Sequence, residues 1–310
     1  MSNTLPELTD QFLEYLEIEK NCSKLTIRDY RHYLEVFNNW YASTQPGKTI
    51  NDLDLATVRK YRVFLANRVD GKGLTLKRVT QNYYVIALRS FLRFLLKNDY
   101  KTLEPSKIDL PKTESRSLKF LDREQIDRLV TSADTSKEEG IRDRAILELL
   151  FSTGLRVSEL VNLNHDKINF ERREFGVIGK GGRARVVFIS DRAAFWVKKY
   201  LDERKDRFKP LFIRYSGAVT EENGGEKMRL TSRSIERLVK KYVKVARIPV
   251  DATVHTFRHS FATDLLTNGA DLRSVQEMLG HKNISTTQIY THITNKQLRD
   301  VHKTFHSGNK

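Results

Sequence analysis

The chain has 310 residues, 39% of them hydrophobic, which suffices for about two cored domains and excludes intrinsic disorder as its class. Lys and Arg outnumber Asp and Glu by 55 to 39, a formal charge of +16 that points to a polyanionic partner, although basic proteins without one exist. The lone Cys22 cannot form an internal disulfide, no apolar run reaches the roughly 18 residues of a membrane span, and "MSNTLPELTD" lacks a signal pattern; a cytoplasmic protein without membrane contact is expected.

Residues 8–100 read as a small helical bundle. Tyr30, Leu34, Phe37 and Tyr41 recur at helical spacing after a Ser23 cap. "LDLATVRKYRVFLANRV" repeats the pattern with Val58, Tyr61 and Leu65, and Val79, Tyr83, Ile86 and Leu95 mark a longer helix ending near Asn98. "TLEPSKIDLPKTESRS" follows, where Pro105 and Pro111 block helix and the polar residues favour an exposed linker. The expected division is a domain over 1–105, a linker over 106–117 and a second domain over 118–310.

The second domain opens with helices in "DREQIDRLVTSA" and "IRDRAILELLFSTG", the latter stopped by Gly154. "KINFERREFGVIGKGGRARVVFIS" then changes period, and its "GKGG" reads as a hairpin turn. "YSGAVTEENGG" reads as a flexible loop. Helices resume at "SRSIERLVKKYVKVARI" and continue with stops at Gly269 and Gly280. The fold class is therefore mainly α with a small antiparallel β-sheet.

Charge is uneven along this order. Residues 1–110 hold 17 basic and 13 acidic residues, against 38 and 26 in the remainder. Arg233, Arg237, Lys240 and Lys244 fall on one helical face, a stripe suited to a phosphate backbone or, more blandly, a solvated surface.

"HTFRHSFATDLL" carries Phe257, Phe261, Leu265 and Leu266 on one side, with His255, Arg258 and His259 at its N-terminal end. Free N–H groups and the helix dipole could hold an anion there. His255 and His259 are four apart and could share a metal, but HExxH, a Cys cluster and a third ligand are all missing, so no metal is expected. "GVIGKGG" lacks Walker spacing, which removes the main support for nucleotide hydrolysis.

Four stretches carry the chemistry: "TGLRVSELVNL" with Arg156 and Glu159, "VIGKGGRARVVF" with Lys180, "HTFRHSFAT" with His255 and Arg258, and "LGHKNISTTQIYTH" with His281 and Tyr290. Lys180 is 24 after Arg156, Arg258 is 3 after His255, His281 is 23 later and Tyr290 is 9 beyond. As an ordered set they resemble the tyrosine recombinase (phage integrase) family, in wording and size most like its Xer branch. The resemblance covers nearly the whole chain. It implies a helical, SAM-like core-binding domain followed by a catalytic domain, the two closing on the duplex as a clamp. The "GAVTEENGGEK" loop is longer than that branch usually has.

The resemblance implies a site-specific recombinase working through a 3′-phosphotyrosyl intermediate on Tyr290, without ATP, metal or other cofactor. Arg156 and Arg258 would meet the nonbridging oxygens, because a guanidinium fork matches a phosphate. His255 would act as general acid/base or hydrogen-bond donor, Lys180 as general acid to the departing 5′-oxygen, and His281 as a donor to the phosphate. Glu159 would orient Arg156 or His281, or form a structural ion pair, and His259 reads as a buried structural residue. "STTQ", with Ser285 and Gln288, is a capping box that would aim Tyr290.

The implied partner is double-stranded DNA bearing an inverted-repeat site. The implied assembly is a homotetramer, or a heterotetramer with a second recombinase, joined through the tail containing Leu298, Val301 and Phe305, with a DNA translocase as a further partner. Chromosome dimer resolution and mobile-element integration both fit. A type IB topoisomerase shares the chemistry but rejoins the same strand, and an architectural DNA-binding protein would leave no covalent adduct.

Overall fold

A computed structural model describes residues 4–69, 71, 73–111, 119–179, 182–281 and 287. The chain divides into two compact units, Met1–Arg116 and Ser117–Lys310.

The first unit packs α1 (Leu5–Ile18), α2 (Lys24–Thr44), α3 (Leu55–Asn67) and α4 (Arg78–Lys97). Thr4, Ser23 and Asp54 cap the first three through side-chain oxygens, as short polar residues do where backbone N–H groups lack partners. Phe12, Phe37, Tyr61 and Phe91 are fully buried at the centre, with Phe37 edge-on to Tyr61.

Two expectations are corrected here. On α4 the buried stripe is Tyr84, Leu88, Phe91, Leu92 and Leu95, while Tyr83 and Ile86 are exposed. "YYVIALRSFLRFLL" offers two overlapping apolar stripes, and the one richer in large side chains takes the core. The linker is not exposed throughout: Pro105 begins a one-turn 3-10 helix and Ile108 is buried in this unit's core, while Ser106, Lys107, Asp109, Leu110 and Pro111 are exposed as expected. Proline is tolerated at a first helical position, and the isoleucine gains by leaving water.

In the second unit α5 (Arg123–Thr131), α6 (Glu138–Thr153) and the short α7 (Val157–Val161) lead into β1 (Glu174–Ile178) and β2 (Ala184–Phe188). The strands pair antiparallel with Gly176 opposite Val186, and the hairpin closes where the Gly182 N–H donates to the Gly179 carbonyl. After α8 (Asp191–Glu203), a chain-reversing turn designated α9 (Glu222–Gly225) and α10 (Ser232–Val245), the described elements end with α11 (Val254–Thr267) and α12 (Leu272–Leu279). Helix α6 is buried on most sides, Asp143 and Glu148 included, and packs against α5, α8 and α11.

The segment read as a flexible loop is organised. Asn223, Gly224 and Gly225 take left-handed backbone angles that reverse the chain. Arg214 holds the carbonyls of Ser216, Ala218 and Lys227, and the Lys209 N–H donates to the Gly224 carbonyl. Among the described residues no helix is long and apolar enough to cross a membrane.

Candidate functional site

The site starts where α6 stops. Gly154 closes that helix in the left-handed conformation, Leu155 is fully buried beside it, and Arg156 becomes the N-cap of α7. Three residues on, Glu159 turns back on Arg156. Its Oε2 accepts the Arg156 backbone N–H at 2.9 Å and its Oε1 accepts the guanidinium at 2.8 Å.

Glu159 is 7% exposed, so a second cation is needed to keep it charged. Arg185 of β2 supplies it, with Nη1 and Nη2 bound to the two carboxylate oxygens at 2.9 and 2.8 Å. Burial alone would raise the carboxyl's pKa, but the bonds from Arg185 and Arg156 outweigh it and set the value at about 2. Glu159 therefore holds Arg156 and Arg185; a bond from it to His281 is not among its contacts.

Helix α11 brings the next groups. Thr253 caps it, accepting the Thr256 N–H, while the Thr256 hydroxyl accepts the Thr253 N–H. The chain's own threonines thus take up the N–H groups of Thr253 and Thr256 at this helix start. The helix is also less one-sided than its sequence implies. Phe257 and Leu266 are fully buried, Phe261 and Leu265 partly so, and Ser260, Ala262 and Thr263 are buried too.

Arg258 is 5% exposed, its Nη1 donating to the Gly154 carbonyl at 2.7 Å and its Nη2 to the Leu279 carbonyl. His255 is exposed on the first turn. His259 is half-buried, and burial, then His255 and Arg258, pull its pKa down.

His281 follows α12, which Gly280 ends in the left-handed conformation. Its N–H donates to the Gln276 carbonyl, and its Nδ1 lies 2.8 Å from the hydroxyl of the fully buried Thr287. Burial, with Arg258, Arg156, His259 and Arg185 adding repulsion, lowers its pKa to about 4. The ring is neutral at neutral pH.

Arg156, Glu159, Arg258 and His281 thus converge from α7, α11 and the end of α12, linked through Gly154, Leu279 and Arg185. Such a cluster can receive an oxyanion, since fixed cations and donors stabilise charge most where water is scarce. Lys180 and Tyr290 lie outside the described residues, as do Ser285, Gln288 and the tail with Leu298, Val301 and Phe305. Gly179, next to Lys180 in the chain, borders the site: a Cβ built there would be 3.6 Å from the Glu159 Oε1.

Sequence reasoning passed over Arg185. Its signal was period two: Arg185 and Val187 share the inward face of β2, and a charged residue on such a face requires a partner.

On α10, Arg233, Arg237, Lys240 and Lys244 are exposed opposite the buried Ile235, Leu238, Val239 and Tyr242. Among the described residues none of these four cations enters an ion pair with a carboxylate. No group of three His, Cys, Asp or Glu among the described residues is placed to share a metal.

With this geometry in hand, comparison with known proteins is specific. Residues 119–297 match the phage integrase family and residues 9–99 the phage integrase N-terminal SAM-like domain. The chain is 39% identical over 309 residues to tyrosine recombinase XerD of Lacticaseibacillus casei, covering 97% of this chain and 99% of that protein. It is 38% identical over 317 residues to tyrosine recombinase XerC of Oceanobacillus iheyensis, covering 99% of each. A XerH site-specific recombinase bound to a palindromic difH substrate, in a post-cleavage complex, shares the fold with a TM-score of 0.71 at 22% identity, over 95% of this chain and 84% of that one.

Proposed function

The chain belongs to the phage integrase family of tyrosine recombinases, and from that premise we propose that it is an Xer-type enzyme that resolves chromosome dimers at a dif-like site. The Tyr290 oxygen attacks a DNA phosphorus, forming the phosphotyrosyl bond as the bond to the 5′-oxygen breaks. The phenol, with an ordinary pKa near 10, gives up its proton to His255 as general base, and the leaving oxygen takes one from Lys180. The 5′-hydroxyl of a partner duplex then displaces Tyr290. One phosphodiester replaces another, so neither ATP nor a metal is needed.

In this reading Arg156 and Arg258 face the nonbridging oxygens, His255 and His281 donate to the same phosphate, and Glu159 aims Arg156. Removing one such preorganised donor costs about 3 to 4 kcal/mol of transition-state stabilisation in comparable oxyanion sites. The observation that carries the reading is the buried Arg258, tied to Gly154 two residues before Arg156 and to Leu279 two before His281. Arg233, Arg237, Lys240 and Lys244 serve the DNA backbone. Assembly is a tetramer on two inverted-repeat sites, of one recombinase or two, with the C-terminal tail joining protomers and a DNA translocase as activator.

The test is incubation with nicked duplexes carrying a dif-like site. A covalent protein–DNA adduct should form, vanish in Tyr290→Phe, and give joints between two duplexes when both are intact. Relaxation of supercoils without such joints would defeat the recombinase assignment.

A further inference from the structure

Arg185 spans three parts of the second unit. It grows from β2, five residues after Lys180, and is itself half-buried, with its side chain 11% exposed. Its two terminal nitrogens grip Glu159 of α7, and its Nε donates to the Met278 carbonyl at 3.0 Å, near the end of α12. The Leu279 carbonyl, next in the chain, is taken by Arg258. Two guanidiniums therefore fasten consecutive carbonyls at the negative end of α12, immediately before Gly280 and His281. The packing is close: a Cβ on Gly280 would stand 3.0 Å from the Arg185 Cδ, and one on Gly179 3.4 Å from its Nη1.

We infer that Arg185 is a positioning residue for strand cleavage, locking the β1–β2 hairpin, the Glu159–Arg156 pair and the α12 end that leads into His281 in one arrangement. This rests on the recombinase reading above. Neither a lysine nor a lone hydrogen bond could do the same, because the task needs a planar fork on the carboxylate and a third donor pointing elsewhere. The groups facing Glu159 and its neighbours are Arg156 on its own helix, Arg185 on β2, Arg258 and His259 on α11, and His281 after α12. All are cationic or become so on protonation. With Arg185 gone, the donor that most lowers the Glu159 pKa disappears, and burial pushes that carboxyl upward.

The experiment compares Arg185→Met, Arg185→Lys and Arg185→Met/Glu159→Gln with the parent chain, using single-turnover cleavage of a nicked dif-like duplex at saturating protein between pH 5 and 9. Both single variants should bind the duplex within about threefold of the parent, since Arg185 faces inward and phosphate contacts dominate affinity. Arg185→Met should cleave roughly 10²-fold more slowly, the usual result of misplacing reacting groups by about an ångström. It should also lose rate as pH falls through a new acidic transition, one absent from the double variant because glutamine does not titrate. Arg185→Lys keeps the charge and loses the fork, so it should remain slow.

A second measurement needs no DNA: the His281 ring, followed by NMR, should titrate at a different pH in Arg185→Lys, where charge is conserved and only the geometry has changed. Cleavage at the parent rate by Arg185→Met would overturn the inference. So would a loss equal at every pH and fully restored by lysine, or an unaltered His281 titration. If the parent chain itself forms no adduct, the recombinase reading fails, and the NMR result alone still decides whether Arg185 positions His281.

Discussion

Arg258 donates its Nη1 to the carbonyl of Gly154 at 2.7 Å, across 104 residues of chain, and so joins the start of one helix to the end of another. Gly154 has a left-handed φ of 58°, and a Cβ there would lie 2.5 Å from the Phe261 ring. The same residue thus ends α6, admits Phe261 and accepts the bond that seats Arg258.

Replacing Gly154 with alanine should be costly for both reasons. Backbone strain and overpacking together predict a loss of about 2 to 4 kcal/mol, measurable by urea denaturation. Cleavage per folded molecule should also fall, because the carbonyl that seats Arg258 moves with the backbone. A variant as stable as the parent would mean that Phe261 and the turn relax without penalty.

The pH dependence of stability should carry the mark of His281. Its pKa is about 6.5 when unfolded and about 4 in the fold, so between these values the unfolded chain binds more protons. This contribution is complete above pH 6.5 and is lost progressively as pH falls towards 4. The downward shift of His259 acts in the same direction. His281→Asn should flatten the pH profile of the melting temperature across that window. A parallel profile for the variant would show that the ring titrates normally.

Lys180 as general acid predicts a selective rescue. Lys180→Ala should slow cleavage roughly 10²- to 10⁴-fold, the usual worth of general acid catalysis. With sulfur in place of the bridging 5′-oxygen a thiolate departs and needs little protonation, so Lys180→Ala should regain most of its rate. Arg156→Ala, lacking charge stabilisation at the nonbridging oxygens, should stay slow, and Tyr290→Phe should be inactive on both substrates. Equal rescue of the lysine and arginine variants would reassign Lys180 to holding the phosphate, with His255 the next candidate for the acid.

The stripe on α10 should be visible in salt dependence. Each phosphate contact contributes about −0.9 to the slope of log affinity against log salt, through counterion release. Changing Arg233, Arg237 and Lys240 to alanine should make the slope shallower by up to about 2.7 if each meets one phosphate. The fold should be unaffected, since all three are exposed opposite the buried face of the helix. An unchanged slope would return the stripe to ordinary solvated surface.

Much of this protein is written in short-range signals. The cap at Ser23, the left-handed stops at Gly154 and Gly280, the helical period of α2 and α3 and the alternation around "GKGG" act within a few residues, so the sequence alone determines them. The ordered set from Arg156 to Tyr290 is legible for the same reason: residue type and spacing are one-dimensional properties. Which of two apolar stripes on α4 faces inward is not legible, because Tyr83 and Tyr84 are equivalent until a neighbouring helix chooses between them. Nor are the pairings of the site. Glu159 meets Arg185 across 26 residues and Arg258 meets Gly154 across 104, and any buried cation in the chain could in principle have served. Only the tertiary structure decides these, because a buried charge is tolerable solely where the fold brings its partner within hydrogen-bond reach, and that distance is set by packing rather than by sequence.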